Sequence, residues 1–132
     1  MPNDKRVLLV DDDRDIVRGV GIRLRAAGYE IAVAHDGRAG LSAALEMKPD
    51  AIVLDMRMPI MDGFAVLREL RRHAETAAIP VVVLSTSNAE SDIARAYQLH
   101  ANSYLVKPDD YDAFVQLMDE LGRYWLTWNE AP

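Results

Sequence analysis

Ala51-Ile52-Val53-Leu54-Asp55 is the stretch that decides the reading of this chain. Four consecutive apolar residues describe a short strand covered on both faces. The run then delivers a carboxylate at its C-terminal end. The same grammar occurs twice more: Val7-Leu8-Leu9-Val10 runs into Asp11-Asp12-Asp13, and Ser103-Tyr104-Leu105-Val106 runs into Lys107-Pro108. Ligands bind outside the carboxyl ends of the strands in an open parallel α/β sheet. Three strands that each end in a charge therefore point to one site.

Outward from Asp55, short apolar runs alternate with longer amphipathic ones. Val7–Val10, Ile31–Ala34, Ala51–Leu54, Val81–Leu84 and Tyr104–Val106 read as strands, with the first, third and fourth apolar on both faces. Between them, Ile16, Val17, Val20, Leu24 and Ala27 recur at helical spacing, with Gly28 as a stop. Asp36 caps a second helix that must end before Pro49. Gly63 opens a third, with Phe64, Leu67 and Leu70, and Ser87 or Asn88 opens a fourth. Asp109 or Asp110 starts the last, with Phe114, Leu117, Met118 and Leu121. Strict β-α alternation implies a parallel sheet with helices on both faces. Right-handed crossovers then favour a flavodoxin-like, doubly wound (βα)5 fold with strand order 2-1-3-4-5.

The 132 residues suit a single domain, 1–132, with a core over about 6–121 and an aromatic tail, 122–132, containing Tyr124, Trp125 and Trp128. The net charge of −6, with no basic stripe, argues against direct nucleic-acid binding. The absence of cysteine excludes disulfides and thiolate metal sites and fits a reducing cytoplasm. Met1 to Arg6 lacks the apolar stretch of a signal peptide. No apolar run approaches the roughly 20 residues of a membrane span.

In this topology the first and third strands are neighbours, so Asp11, Asp12 and Asp55 converge. Carboxylates at close range repel, and a hard cation relieves them; oxygen-only donors select Mg²⁺, Mn²⁺ or Ca²⁺. Each residue also has a bland reading. An Asp before a helix is commonly a cap, Asp55 alone is a loop Asp, Lys107 a surface lysine, and Ser85 a helix cap. Together they say more. A carboxylate can attack phosphorus to give an acyl phosphate. Catalysis of such a transfer is mostly positioning and electrostatics over three equatorial oxygens. Lys107 offers a cation for that charge and Ser85 a hydroxyl.

The set Asp11-Asp12, Asp55-x-x-Met58-Pro59-x-x-Asp62-Gly63, Ser85 and Lys107-Pro108 strongly resembles the receiver domain of two-component response regulators, the CheY-like fold. The resemblance spans about Arg6 to Leu121. It implies Asp55 as phosphoacceptor, and Asp11, Asp12, Asp55 and the Arg57 backbone carbonyl around Mg²⁺, with Asp12 the more direct acidic ligand. It implies Lys107 as the phosphoryl's partner and a commonly cis Lys107–Pro108 bond. Ser85 and Tyr104 become the switch pair. The phosphoryl draws the Ser85 hydroxyl, Tyr104 rotates inward, and the face of the fourth helix, fifth strand and fifth helix changes shape. The family most often has Thr where Ser85 stands, and Arg57 and Ser87 occupy positions that influence how water reaches the acyl phosphate.

No output domain is evident in the chain. Ser85-Thr86-Ser87, Asn102-Ser103-Tyr104 and Tyr124-Trp125-Leu126 resemble stand-alone regulators of phytochrome-type and hybrid histidine kinases. The expected partners are a sensor histidine kinase and either a downstream protein or a histidine phosphotransfer protein. The aromatic tail adds a homodimer through the fourth-helix, fifth-strand, fifth-helix face. The resemblance describes a signalling switch that catalyses only its own phosphorylation and dephosphorylation. Two other classes compete. An Asp-nucleophile phosphohydrolase would need a second acid two residues on, where Arg57 stands, and a degenerate receiver would act only as a scaffold. A flavodoxin-like cofactor role lacks a phosphate-cradling Gly-rich loop. His35, His73 and His100 are scattered and read as surface or helix-end residues.

Overall fold

The computed structural model describes residues 5–120. The elements alternate as β1 (Arg6–Val10), α1 (Arg14–Ala26), β2 (Glu30–Ala34), α2 (Gly37–Met47), β3 (Ala51–Asp55), α3 (Gly63–Arg72), β4 (Val81–Ser85), α4 (Glu90–Gln98), β5 (Ser103–Val106) and α5 (Tyr111–Glu120). The strands form one parallel sheet in the order β2-β1-β3-β4-β5. The fold class read from the sequence is therefore the fold observed.

Strand pleating sends alternate side chains to opposite faces. Leu8, Val10, Ile52, Leu54, Val81 and Val83 meet Leu67 and Leu70 of α3 and Ala44 of α2 on one face. Val7, Leu9, Val53, Val82 and Leu84 meet Val20 and Leu24 of α1 and Met118 of α5 on the other. The central strands β3 and β4 are buried along their whole length, whereas the edge strands β2 and β5 are half-exposed. α2 approaches β1 so closely that a Cβ at Gly40 would lie 2.6 Å from Val10 Cγ1.

The caps largely follow the expected chemistry. Asp36 accepts from the Ala39 N–H, and Asp62 accepts from the Ala65 N–H. α1 ends at Ala27, followed by Gly28 at φ 99°. The fourth helix departs from expectation. Its N-cap is Ala89, which offers no side-chain acceptor. Ser87 lies two residues earlier and its Oγ accepts from the Ala89 N–H at 3.3 Å. Ser87 itself is buried, held by the end of β4, and so sits too far back to start the helix.

Candidate functional site

The register Val10↔Leu54 on β1 and β3, and Asp55↔Leu84 on β3 and β4, fixes which strand ends adjoin. Asp11, Asp55 and Ser85 consequently share one end of the sheet. Asp11 and Asp55 are each 6% exposed and Ser85 is fully buried. The Asp11 backbone N–H donates to the Ala34 carbonyl at 3.1 Å, and Asp11 Oδ1 accepts from the Asp13 N–H at 2.9 Å. Asp13, rather than Asp11 or Asp12, caps α1, accepting from the Asp15 and Ile16 amides. That division of labour leaves the other two acids available. One oxygen from each of Asp11, Asp12 and Asp55 lies within 4.8 Å of the others. Asp12 is exposed at the mouth of the cluster.

Lys107 enters from the end of β5, its backbone N–H bonded to the Ser85 carbonyl at 2.7 Å. Its ammonium bridges the two buried acids, donating to Asp11 Oδ2 at 2.9 Å and to Asp55 Oδ1 at 3.3 Å. The Lys107–Pro108 peptide is trans, and no cis bond occurs among the described residues. The trans form is the ordinary preference of an X–Pro bond, and it already brings the ammonium onto both carboxylates.

Electrostatics follow from this crowding. Burial, reinforced by the Asp11 charge, pushes the Asp55 carboxyl up to about 6. The Lys107 charge and hydrogen bond and a backbone hydrogen bond from Arg57 act the other way. For Lys107, burial disfavours the ammonium. The hydrogen bond and charge of Asp11, joined by those of Asp55, outweigh it and hold its pKa above the usual lysine range.

Around the acids, the chain from Asp55 to Gly63 wraps tightly. The Gly63 N–H donates to the Met56 carbonyl at 3.1 Å, and a Cβ at Gly63 would lie 2.7 Å from Met56 Cα. Met56 and Met58 are buried. Ile60 is fully exposed at φ 70°, inside a three-residue turn closed by the Met61 N–H on the Pro59 carbonyl at 2.8 Å. A β-branched residue there is an outlier.

The remaining expected residues fall into a hydrogen-bonded chain leading away from the site. Ser85 Oγ accepts from the Ser87 N–H at 3.1 Å. Tyr104, half-buried, donates its hydroxyl to the Ser87 carbonyl at 2.9 Å, and its N–H bonds the Tyr97 hydroxyl at 3.2 Å. Ser87 Oγ donates to Asp92 Oδ2 at 2.6 Å. The sequence places Tyr97 at helical spacing with Ile93, Ala96 and Leu99 but gives no sign of its bond to Tyr104, and Asp92 looks like any polar residue on a helix face. His73 caps the end of α3 and His100 follows α4, as expected of helix-end residues. His35 is half-buried, and its Nδ1 has no hydrogen-bond partner. Leu121, Tyr124, Trp125 and Trp128 lie outside the described residues.

A parallel α/β sheet whose strand ends gather three carboxylates, a bridging lysine and a buried hydroxyl defines a phosphoryl-switch type of domain. The response regulator receiver domain family matches residues 7–119, and the chain belongs to that family. The phosphorylated cyanobacterial phytochrome response regulator RcpA is 32% identical, with a TM-score of 0.87 over 96% of each chain. The Mn²⁺-bound form of response regulator Rcp1 is 32% identical, with a TM-score of 0.83 over 92% of this chain and 94% of that one. The transcriptional regulatory protein PrrA of Mycobacterium tuberculosis is 45% identical over 103 residues, 78% of this chain and 43% of PrrA. The chain thus spans less than half the length of PrrA. Among the described residues, no helix is long and apolar enough to cross a membrane.

Proposed function

We propose that the chain is a phosphorelay switch in which Asp55 accepts a phosphoryl group from a histidine of a sensor kinase. The observation that carries the reading is the Lys107 ammonium held between the Asp11 and Asp55 carboxylates in a buried three-acid cluster. An O–P bond forms at Asp55 as the N–P bond of the donor breaks, and the electron pair of that bond returns to the donor imidazole. Asp11, Asp12, Asp55 and the Arg57 carbonyl would hold Mg²⁺; an oxygen-only donor set suits a hard cation. When bound, the cation would supply charge for the phosphoryl oxygens. Lys107 holds one Asp55 oxygen in place and brings a second positive charge to the transferred group. Ser85, whose Oγ accepts from the Ser87 amide, keeps its own hydroxyl hydrogen to donate to a phosphoryl oxygen. The domain promotes only its own phosphorylation and dephosphorylation.

Phytochrome-type or hybrid histidine kinases are the proposed donors, supported by the likeness to RcpA. A downstream protein or histidine phosphotransfer protein reads the changed surface. The face of α4, β5 and α5 is also the proposed homodimer surface, and Tyr97 and Val106 are exposed on it. A monomer by light scattering at high concentration, with or without phosphate, would remove the dimer.

The central test is intact-protein mass after incubation with Mg²⁺ and a small acyl-phosphate donor. One phosphoryl group should be gained, and it should be lost in Asp55→Asn and on chelation. No gain in a folded protein that binds Mg²⁺ would refute spontaneous phosphoacceptor chemistry at Asp55.

A further inference from the structure

We propose that the groove between α1 and α5 is a binding site for a small amphipathic organic cation, an alkyl or aryl body carrying an ammonium group. The site is separate from the acid cluster and does not rest on Asp55 as phosphoacceptor.

α1 and α5 lie on the same face of the sheet, where Val20 and Leu24 of one helix and Met118 of the other pack on the strands. The two helices do not fill the space on the outer side of that contact, and the reason lies in α1. One of its rows reads Ile16, Gly19, Ile22, so the middle position carries no side chain. A Cβ built at Gly19 would meet no atom within 4 Å. Across the gap α5 offers Phe114, Val115 and Met118, and Ile22 stands 59% exposed at the edge. The result is a cavity of about 450 Å³, within the range of small-molecule sites and apolar along most of its wall.

The charges on the wall choose the ligand. Asp15, Arg23, Lys107 and Asp109 all line the groove. Both cations are engaged. Arg23 pairs with Asp119 at 3.6 Å, and Lys107 is held between Asp11 and Asp55. The acids are not. Asp13 caps α1, and at the start of α5 Asp110 accepts from the Asp112 N–H. Capping therefore falls to neither Asp15 nor Asp109, and neither carboxylate has a side-chain partner among the described residues. Asp15 stands in the first turn of α1 and Asp109 just before α5, so both lie at the end of the groove nearest the strand ends. Both are exposed, and the exposed Thr86 also lines the cavity. An apolar wall with two unspent carboxylates at one end accepts an apolar body with an ammonium and disfavours an anion of the same shape.

The test is NMR of the full chain labelled at its methionine methyls, with Mg²⁺ present and 2-phenylethylammonium as the probe. 2-Phenylethanol and 3-phenylpropionate are the neutral and anionic comparators. Met118 lines the groove, whereas Met56 and Met58 follow Asp55, so the methyl that shifts reports where the probe sits. Met118 should titrate with the ammonium about fivefold more tightly than with the alcohol, the ratio that two exposed ion pairs allow, and more weakly still with the carboxylate. Asp15→Asn combined with Asp109→Asn should bring the ammonium down to the alcohol. Gly19→Leu puts a side chain into the gap and should weaken ammonium binding by about tenfold or more, the worth of burying one apolar group. It also removes a glycine from a helix interior, which favours the fold. No Met118 shift at about 10 mM probe, where even a millimolar Kd gives high occupancy, would overturn the site. Equal affinity for all three probes would overturn the charge selection. Shifts at Met56 and Met58 with Met118 unmoved would place the cation at the acid cluster and overturn the groove. A Met118 signal that moves with protein concentration alone would put a second copy in the groove and overturn the ligand. The two tryptophans are Trp125 and Trp128, so their emission should be unchanged in Gly19→Leu; a shift would mean that residues 121–132 already occupy the groove, and would likewise overturn the ligand.

Discussion

Asp55→Asn should stabilise the metal-free protein at neutral and higher pH. The folded state pushes the Asp55 carboxyl from 3.8 to about 6, through burial and then through the charge of Asp11. A pKa raised on folding means that the native state binds the proton more tightly than the unfolded chain. The stability contributed by that proton is fully present below about 3.8 and is lost as the pH rises through about 6. At 1.36 kcal/mol per pH unit the full shift corresponds to about 3 kcal/mol. Solvent reaching the mouth of the cluster and the lost ion pair with Lys107 reduce this, leaving a gain of about 1–3 kcal/mol for the neutral amide. For a chain of this size that is a rise of roughly 3–10 °C in melting temperature. The assay is thermal unfolding by circular dichroism in chelator, from pH 4 to pH 8, for both proteins. The gap should open across pH 4–6 and stay open above. Mg²⁺ should shrink it by stabilising the wild type selectively. A variant no more stable than the wild type at pH 8 in chelator would refute the claim that Asp55 is held as a destabilised buried anion.

Three further outcomes follow from the same geometry. Lys107→Met leaves Asp11 and Asp55 buried without their shared cation and should cost about 3–5 kcal/mol at pH 8 in urea unfolding, partly recovered by Mg²⁺. Gly63→Ala drives a methyl against the Asp55 carbonyl and Met56, and should cost about 1–3 kcal/mol through overpacking, seen as a lower urea midpoint. Ile60→Gly relieves a positive-φ, β-branched, fully exposed residue and should raise stability by up to about 1 kcal/mol; a lower urea midpoint would contradict the strain.

Much of the site was legible because each key residue ends a strand. Once β1, β3 and β5 are recognised as apolar runs in a βα alternation, Asp11, Asp55 and Lys107 must emerge at the same end of the sheet. Ser85 follows from β4 in the same way. The details that sequence leaves open or misplaces are local choices among near-equal options. Asp11, Asp12 and Asp13 are all competent caps by composition, and backbone geometry assigned the task to Asp13. Ser87 looked like a helix start, but its side chain reaches forward to Asp92 and the helix begins after Ala89. The Lys107–Pro108 bond is trans where the family resemblance suggested cis. Tyr104 already places its hydroxyl on the Ser87 carbonyl, a contact seventeen positions away in sequence.

The sequence by itself determined the class of fold, the order of the strands, the identity of the acids and the lysine, and the exclusion of thiolate chemistry. Those properties depend on periodicity and on which residue ends each strand, which are local and additive along the chain. The tertiary structure alone decided that Lys107 bridges both buried acids and that their crowding raises Asp55 toward neutrality. These depend on distances between residues separated by tens of positions and on how much water is excluded there. A pKa is a property of such an assembled neighbourhood, and no window of sequence contains it.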